Sequence, residues 1–527
     1  MSVQTLPPRA TQSAEIVSYD PATGEEIGRA PLTSPEEVRR AVAAARQAQP
    51  AWAKLSFRER ARVILRARAL MLDERDDIAL LVSRETGKPV AEALSMELVP
   101  VLDAMHYFAN ASEDLLRPQK IDIGQYGLMG RSSRLVFRPL GLVGIISPWN
   151  FPLATPTAEV VMALMAGNAV VLKPSELTPL IALKVAELFK RAGLPTDLLQ
   201  VVTGDGSTGA ALIDARVDKI MFTGSVATGK RVAEAAAKHL TPVVLELGGK
   251  DPMIVLEDAH ITNAARAAVW GAFANSGQAC ASVERCYVHE SIASQFIENV
   301  VAETKALKQG VGTQADVDVG SMSNERQLTI VADHVNDATA SGATVLTGGR
   351  RGDDRDGFFY EPTVLTGVAQ NMTIMREETF GPVLPIMTFA NDDEAIDLAN
   401  DSVYGLTASV WTRNIERGRR LAERIEAGTV MVNEVVYTHG IGQTPWGGVK
   451  ESGYGTTHGR MGLLELVHPQ HVHVNRFSFV PDVWWFRYST RAGRLFAGLA
   501  QHFTTGSILK TGRLLPQMVR RMLNLSK

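Results

Sequence analysis

Through the middle of the chain, short apolar runs alternate with segments in which apolar residues recur every three or four positions. Residues 142–146, 169–172, 199–202, 219–222 and 243–247 are apolar runs of strand length. Their unbroken apolar character predicts strands buried on both faces. Segments such as 181–191 and 229–239 between them have helical periodicity, and this alternation predicts a parallel sheet covered by helices. A second alternation runs from Met253 to about Asn433, with strands expected at 286–288, 383–389 and 409–411. Two such layers imply two domains with a cleft between them. Upstream, residues 16–30 read as two strands around the turn Pro21-Ala22-Thr23-Gly24. Ser34-Pro35-Glu36-Glu37 then supplies an N-cap, a proline at the first helical position and early acids. That helix runs toward Trp52, and helical periodicity dominates from Arg58 to about Leu115.

The last fifty or so residues change character. From Arg476 onward there are nine Lys or Arg against one acid, Asp482, a net charge of +8 in a chain whose total is -3. Leu514, Leu515, Met518, Val519, Met522 and Leu523 recur at helical spacing beside Arg513, Arg520 and Arg521. The pattern predicts a basic amphipathic helix. The start of the chain, with Pro7 and Pro8, is polar and expected to be loosely ordered.

Composition narrows the class. Hydrophobic residues make up 45% and charged residues 21% of 527, the balance of a soluble globular protein. A pI near 6.4 gives no electrostatic footprint for nucleic acid. Two cysteines, Cys280 and Cys286, exclude a disulfide framework and point to a reducing compartment. No apolar run reaches the ~18 residues of a membrane span, so a cytoplasmic enzyme is expected.

The chemistry concentrates in Phe273-Ala-Asn-Ser-Gly-Gln-Ala-Cys280, whose cysteine is a candidate nucleophile. Leu245-Glu246-Leu-Gly-Gly-Lys-Asp-Pro252 places a carboxylate at a strand end. Pro148-Trp-Asn150-Phe-Pro152, Lys173-Pro-Ser-Glu176, Phe222-Thr-Gly224-Ser225-Val-Ala-Thr-Gly229, Glu378-Thr-Phe380-Gly-Pro382 and Pro445-Trp-Gly-Gly-Val-Lys450 complete a set of seven motifs. In order and content the set closely resembles the aldehyde dehydrogenase superfamily, over residues 16–474.

The resemblance implies an α/β fold: a Rossmann-type cofactor domain, an α/β catalytic domain and a small oligomerisation β-extension, here with an extra helical tail. It assigns residues 1–122 and 141–248 to cofactor binding and 249–448 to catalysis. Residues 123–140 and 449–475 would bridge subunits of a homodimer or homotetramer, and 476–527 would form the tail. By the same resemblance, Cys280 attacks an aldehyde, Asn150 and the Cys280 N–H hold the oxyanion, and Glu246 is the base that hydrolyses the thioester. Lys173, Ser175 and Glu176 would meet the adenosine ribose. Gly224, Ser225 and Gly229 would face the pyrophosphate, and Trp149, Glu378 and Phe380 the nicotinamide side. Glu176 favours NAD over NADP, because a carboxylate repels a 2′-phosphate. Phe151, Trp446 and Gly440 are expected in the substrate pocket.

The stretch after Pro152 has no arginine and carries Glu159, which favours an apolar aliphatic or aromatic aldehyde over succinic semialdehyde, the alternative substrate. A non-catalytic scaffold or membrane-tethered member would show damage at Cys280, Glu246 or Asn150, and none is damaged. Cys286 is read as packing. His458, His468, His471 and His473 lack ligand spacing, so no metal is expected. The tail is read as a lid, an interface element or a contact with an anionic membrane surface.

Overall fold

Ser34 shows how locally the early helices are specified. Its hydroxyl accepts from the Glu37 N–H, while the Glu37 carboxylate accepts from the Ser34 N–H at 2.8 Å, closing a capping box on the helix Pro35–Ala53. Ser56 and Glu59 repeat the device on Phe57–Asp73. The strands Glu15–Tyr19 and Glu26–Pro31 pair antiparallel around the expected turn. Helical structure then runs through Arg75–Thr86 to Val99–Leu115, broken by Gly87 at φ +85° and by a π-turn at Ala93–Leu98. The structure, a computed structural model, describes residues 15–352 and 357–525. The polar start with Pro7 and Pro8 lies outside the described residues. Contacts divide the chain into two units: Met1–Leu115 with Pro139–Leu466, and Leu116–Arg138 with Val467–Lys527.

The larger unit holds two sheets. In the first, β1 (Leu142–Ile146), β2 (Ala169–Lys173), β3 (Leu199–Val201), β4 (Lys219–Thr223) and β5 (Val243–Glu246) run parallel in the order β5-β4-β1-β2-β3. The second contains β6 (Asp251–Val255), β7 (Val283–His289), β8 (Thr344–Thr347), β9 (Thr363–Thr366), β10 (Val383–Phe389), β11 (Thr407–Trp411) and β12 (Thr429–Val432), ordered β8-β9-β10-β7-β6-β11-β12. The short strand β13 (Gly453–Tyr454) returns to pair antiparallel with β5 on the edge of the first sheet. All eight strands expected in these two sheets are present, with ends shifted by a few residues. Three helices position the site: α1 (Ala154–Ala166), α2 (Val226–Ala237) and α3 (Ile261–Phe273). Helix α2 starts before the expected Gly229, because the Ser225 hydroxyl caps it by accepting from the Thr228 N–H. Cys286 is fully buried in an apolar cluster with Met253 and Val288, as a packing residue should be.

The smaller unit is built on a three-stranded sheet of Gln119–Ile121, Arg131–Pro139 and Val467–Asn475. Its tail forms three helices rather than one: α4 (Thr490–His502), α5 (Ile508–Gly512) and α6 (Leu515–Leu525). Val483, Leu495, Leu499 and Met518 form its core, with Leu514 and Met522 packed against them. Arg131 pairs with Asp482, and Arg521 donates to the carbonyls of Val483, Trp485 and Arg487. Among the described residues, no helix is long and apolar enough to cross a membrane.

Candidate active site

Cys280 stands at the end of a loop that is held largely by its own motif. Asn275, Ser276 and Gly277 take left-handed φ values of 53°, 55° and 70° in succession. At Gly277 a Cβ would stand 2.1 Å from the Gly381 carbonyl oxygen, so only glycine fits. The Asn275 side-chain amide donates to the carbonyls of Asn150 (3.1 Å) and Gln278 (2.9 Å). Gln278, fully buried, donates to the Asn275 carbonyl and accepts from the Ser323 N–H. Asn150 joins the same loop, its Nδ2 donating to the Gln278 carbonyl at 3.0 Å. One hydrogen on that Nδ2 is left for another acceptor.

Glu246 ends β5 on the wall of the same cavity. It is 6% exposed, and neither carboxylate oxygen has a hydrogen-bond partner of good geometry among the described residues. Burial raises its pKa well above the usual carboxylate range, and the charge of Glu159 raises it further. The Trp446 side chain opposes the rise. Burial, followed by the charges of Asp251, Glu246 and Glu378, also pushes the Cys280 thiol up. In this environment the cysteine rests as a thiol and needs a base to become a nucleophile.

The rest of the cavity fits a dinucleotide. It measures about 1070 Å³, more than a small aldehyde needs. It opens at the carboxyl ends of β1 and β4, where the strand order reverses, the place at which such sheets bind nucleotides. Lys173 and Glu176 pair at 3.4 Å at one end, and burial lowers the Lys173 pKa. Ser175 lies beside them, its hydroxyl accepting from the Leu177 N–H. The start of α2 lines the cavity through Gly224, Ser225 and Thr228. A Cβ on Gly224 would meet the Phe222 ring at 2.7 Å, and one on Gly229 would meet the Leu247 side chain at 2.5 Å. Trp149 and Phe380 stack edge to face at 5.5 Å. Glu378 accepts from the Gly249 N–H and leaves no room for a Cβ on Gly248.

Comparison with known proteins agrees with this geometry. Residues 9–472 match the model of the aldehyde dehydrogenase family. The chain belongs to that family. A 4,4'-diapolycopene aldehyde oxidase from Methylomonas is 40% identical over 499 residues, covering 94% of this chain and 93% of that one. A Mycobacterium bovis protein, provisionally named succinate-semialdehyde dehydrogenase (NADP+) 2, is 43% identical over 470 residues, covering 88% and 90%. The crystal structure of an NAD-dependent aldehyde dehydrogenase from Sinorhizobium meliloti superimposes with a TM-score of 0.86 at 38% identity, covering 90% of this chain and 94% of that one. The protein is thus an NAD(P)-dependent aldehyde dehydrogenase with the α/β fold of its family.

In this aldehyde dehydrogenase Phe151, Trp446 and Gly440 all line the cavity. His439 sits edge to face with Trp446 and lies against His458, both at 4.9 Å. Burial depresses the two imidazoles to about 4 and about 3, so both are neutral near pH 7. Sequence reasoning weighed His458 only as a metal ligand and passed over His439.

Three supports, the first and last of them buried and the second half-buried, were also missed. Lys88 bridges the Glu97 carboxylate (2.5 Å) and the Asn150 carbonyl (2.8 Å). Glu97 in turn accepts from the Leu153 and Ala154 N–H groups at the start of α1. Glu92 accepts from the Asn275 N–H. Glu284, paired with Lys250 at 2.6 Å, accepts from the N–H groups of Thr379 and Phe380 and holds Phe380 at φ +50°.

Proposed function

We propose that this dehydrogenase oxidises an apolar aldehyde through a thioester on Cys280, with NAD as the preferred acceptor. The observation that carries the reading is the convergence of Cys280, the Asn150 amide and an unpartnered buried Glu246 on one cavity. Glu246 takes the Cys280 proton as sulfur bonds to the carbonyl carbon. The resulting oxyanion is held by the free Asn150 Nδ2 hydrogen and the Cys280 N–H. The nicotinamide, when bound, supplies the hydride acceptor that leaves a thioester on Cys280. Glu246 passes the Cys280 proton to solvent and then draws one from water, whose oxygen bonds to the acyl carbon as the C–S bond breaks, and the departing sulfur takes that proton from Glu246. The acid leaves and the thiol is restored.

Lys173, Glu176, the start of α2, Glu378 and Phe380 would hold the dinucleotide. Glu176 favours NAD by repelling a 2′-phosphate.

An apolar substrate is favoured by the cavity wall. Phe151, Trp446 and two neutral imidazoles supply aromatic surface. The cations on the wall are Lys173, Arg231 and Arg326. Lys173 is paired with Glu176, Arg231 projects from α2, and Arg326 precedes Gln327, which bonds the Thr379 carbonyl. Lys173 and α2 are among the elements proposed to hold the cofactor, and Arg326 stands next to a residue bonded beside Phe380. Lys88 lies under the Phe151 ring at 4.2 Å, but it is fully buried and spent on Glu97. These features favour a substrate like that named for the Methylomonas relative over succinic semialdehyde. The test is NADH formation across a ladder of aldehydes, with Cys280→Ala and Glu246→Gln alongside. Activity rising with chain length, none with Cys280→Ala, and a burst that stalls with Glu246→Gln are expected. Best activity on succinic semialdehyde would overturn the substrate class.

The tail favours a further reading, peripheral contact of a cytoplasmic enzyme with an anionic bilayer. Phe486 and Leu509 are 77% and 87% exposed, Trp485 and Tyr488 are also exposed, and the tail carries +8. Exposed aromatics beside cations suit a headgroup interface. Sedimentation with phosphatidylglycerol vesicles, lost in high salt and absent with phosphatidylcholine, is expected. Equal recovery with and without vesicles would refute it.

A further inference from the structure

Helix α1 carries a carboxyl that the mechanism above does not use. All thirteen of its residues are buried, and Glu159, 3% exposed, is its one ionisable residue. A carboxylate in such a helix is normally paired. Among the described residues Glu159 makes no hydrogen bond or ion pair.

The buried ionisable groups on the elements packed against α1 are committed elsewhere. Arg60 lies by Gly167 at the far end of the helix. Glu97 is tied to Lys88, Lys173 to Glu176, and His458 is neutral beside Thr457. Asp103, His106, Glu113 and Asp114 of Val99–Leu115 are exposed to solvent.

What Glu159 does share is the cavity. It lines the same wall system as Cys280 and Glu246, and Glu246 presents two buried, unpartnered oxygens there. Two carboxyls in one low-dielectric space cannot easily both ionise, so the charge of one raises the other's hold on a proton. The titration agrees with the geometry: burial alone pushes Glu159 up to about 8, and its charge adds to the rise of Glu246.

We propose that Glu159 is a positioning residue that acts through Glu246, strengthening the base that deprotonates Cys280 and the hydrolytic water. In both steps a proton moves to a Glu246 oxygen, from Sγ as the S–C bond forms and from water as the C–O bond forms. A cation at Glu159 would have the opposite effect, making Glu246 easier to ionise and a weaker base. The inference rests on the role proposed for Glu246.

The test is the pH profile of steady-state turnover and of the NADH burst for wild type, Glu159→Gln, Glu159→Asp and Glu246→Gln, using one apolar aldehyde. Glu159→Gln should move the acid limb down by about one pH unit and lower the plateau about three- to tenfold, because the base is weaker. A structural role alone would lower the plateau without moving the limb. A Glu159→Gln limb that coincides with wild type, while the burst remains, overturns the proposal. If Glu159→Gln gives no burst, Glu159→Asp decides: its drawn-back charge should move the limb down by a smaller amount, and an unmoved or raised limb overturns the idea. Normal turnover by Glu246→Gln would instead remove the base assignment itself, whatever Glu159 does.

Discussion

Replacing Asn150 by alanine separates catalysis from structure, because the surroundings of this side chain are satisfied without it. Its Nδ2 makes one hydrogen bond, to the Gln278 carbonyl at 3.0 Å, and that carbonyl also accepts from Asn275 at 2.9 Å. The Asn150 carbonyl is held independently by Lys88 and Asn275. Asn150→Ala therefore strands no buried group, and the loss in unfolding free energy should be about 1 kcal/mol, the net value of one hydrogen bond. The catalytic loss should be larger. An oxyanion donor acts on charge that develops only in the transition state, and removing one costs about 10²–10³ in rate, or about 2.7–4 kcal/mol. The burst rate constant for NADH, measured with saturating cofactor and aldehyde, should fall by that factor with KM nearly unchanged. Urea unfolding followed by tryptophan fluorescence supplies the stability arm. A burst slowed less than about tenfold would remove Asn150 from the oxyanion site. A stability loss above about 3 kcal/mol would make it a structural residue whose kinetic effect is indirect.

Three further outcomes follow from the same geometry. Glu176→Ser removes the carboxylate beside Lys173, so kcat/KM for NADP relative to NAD should rise about tenfold or more, ~1.4 kcal/mol; an unchanged ratio would place Glu176 away from the ribose 2′ position. Lys88→Met leaves Glu97 as an uncompensated buried charge and should destabilise the fold by about 3–5 kcal/mol, whereas Lys88→Met with Glu97→Gln should recover part of that in urea unfolding. Because burial raises the pKa of Glu246, the base is lost by protonation as pH falls. Steady-state turnover should therefore rise with pH, its acid limb lying above the range of an ordinary carboxylate, and an acid limb at the ordinary carboxylate position would contradict the role.

What the sequence displayed and what it hid divide along a physical line. The buried strands announced themselves as apolar runs because parallel strands covered on both faces have no polar side to show. The loop from Phe273 to Cys280 was legible because its determinants are contiguous: Asn275, Gly277 and Gln278 bond or clear space within a few residues of the cysteine. Ser34 and Glu37 were legible for the same reason. Lys88, Glu97, Glu92 and Glu284 were not, since each is defined by a partner outside its own segment. Glu92 meets Asn275 and Glu284 meets Phe380, at separations of 183 and 96 residues. By sequence alone such charges look like a solvated face, and only the tertiary fold shows that Lys88, Glu97 and Glu284 are buried and Glu92 half-buried. The tail errs in a related way. Leu514, Met518 and Met522 were correctly periodic, but periodicity gives a face and not a neighbour, so the packing of α4 and α6 around Val483 could not be foreseen. Glu159 is the instructive intermediate. Its setting, Thr157-Ala-Glu-Val-Val-Met162, already shows one charge in an apolar helix. Read alone, that charge could only repel a substrate. Placed in the cavity with Glu246, it becomes one of two carboxyls competing for a proton, and the difference is whether the enzyme's pH profile moves when the charge is removed.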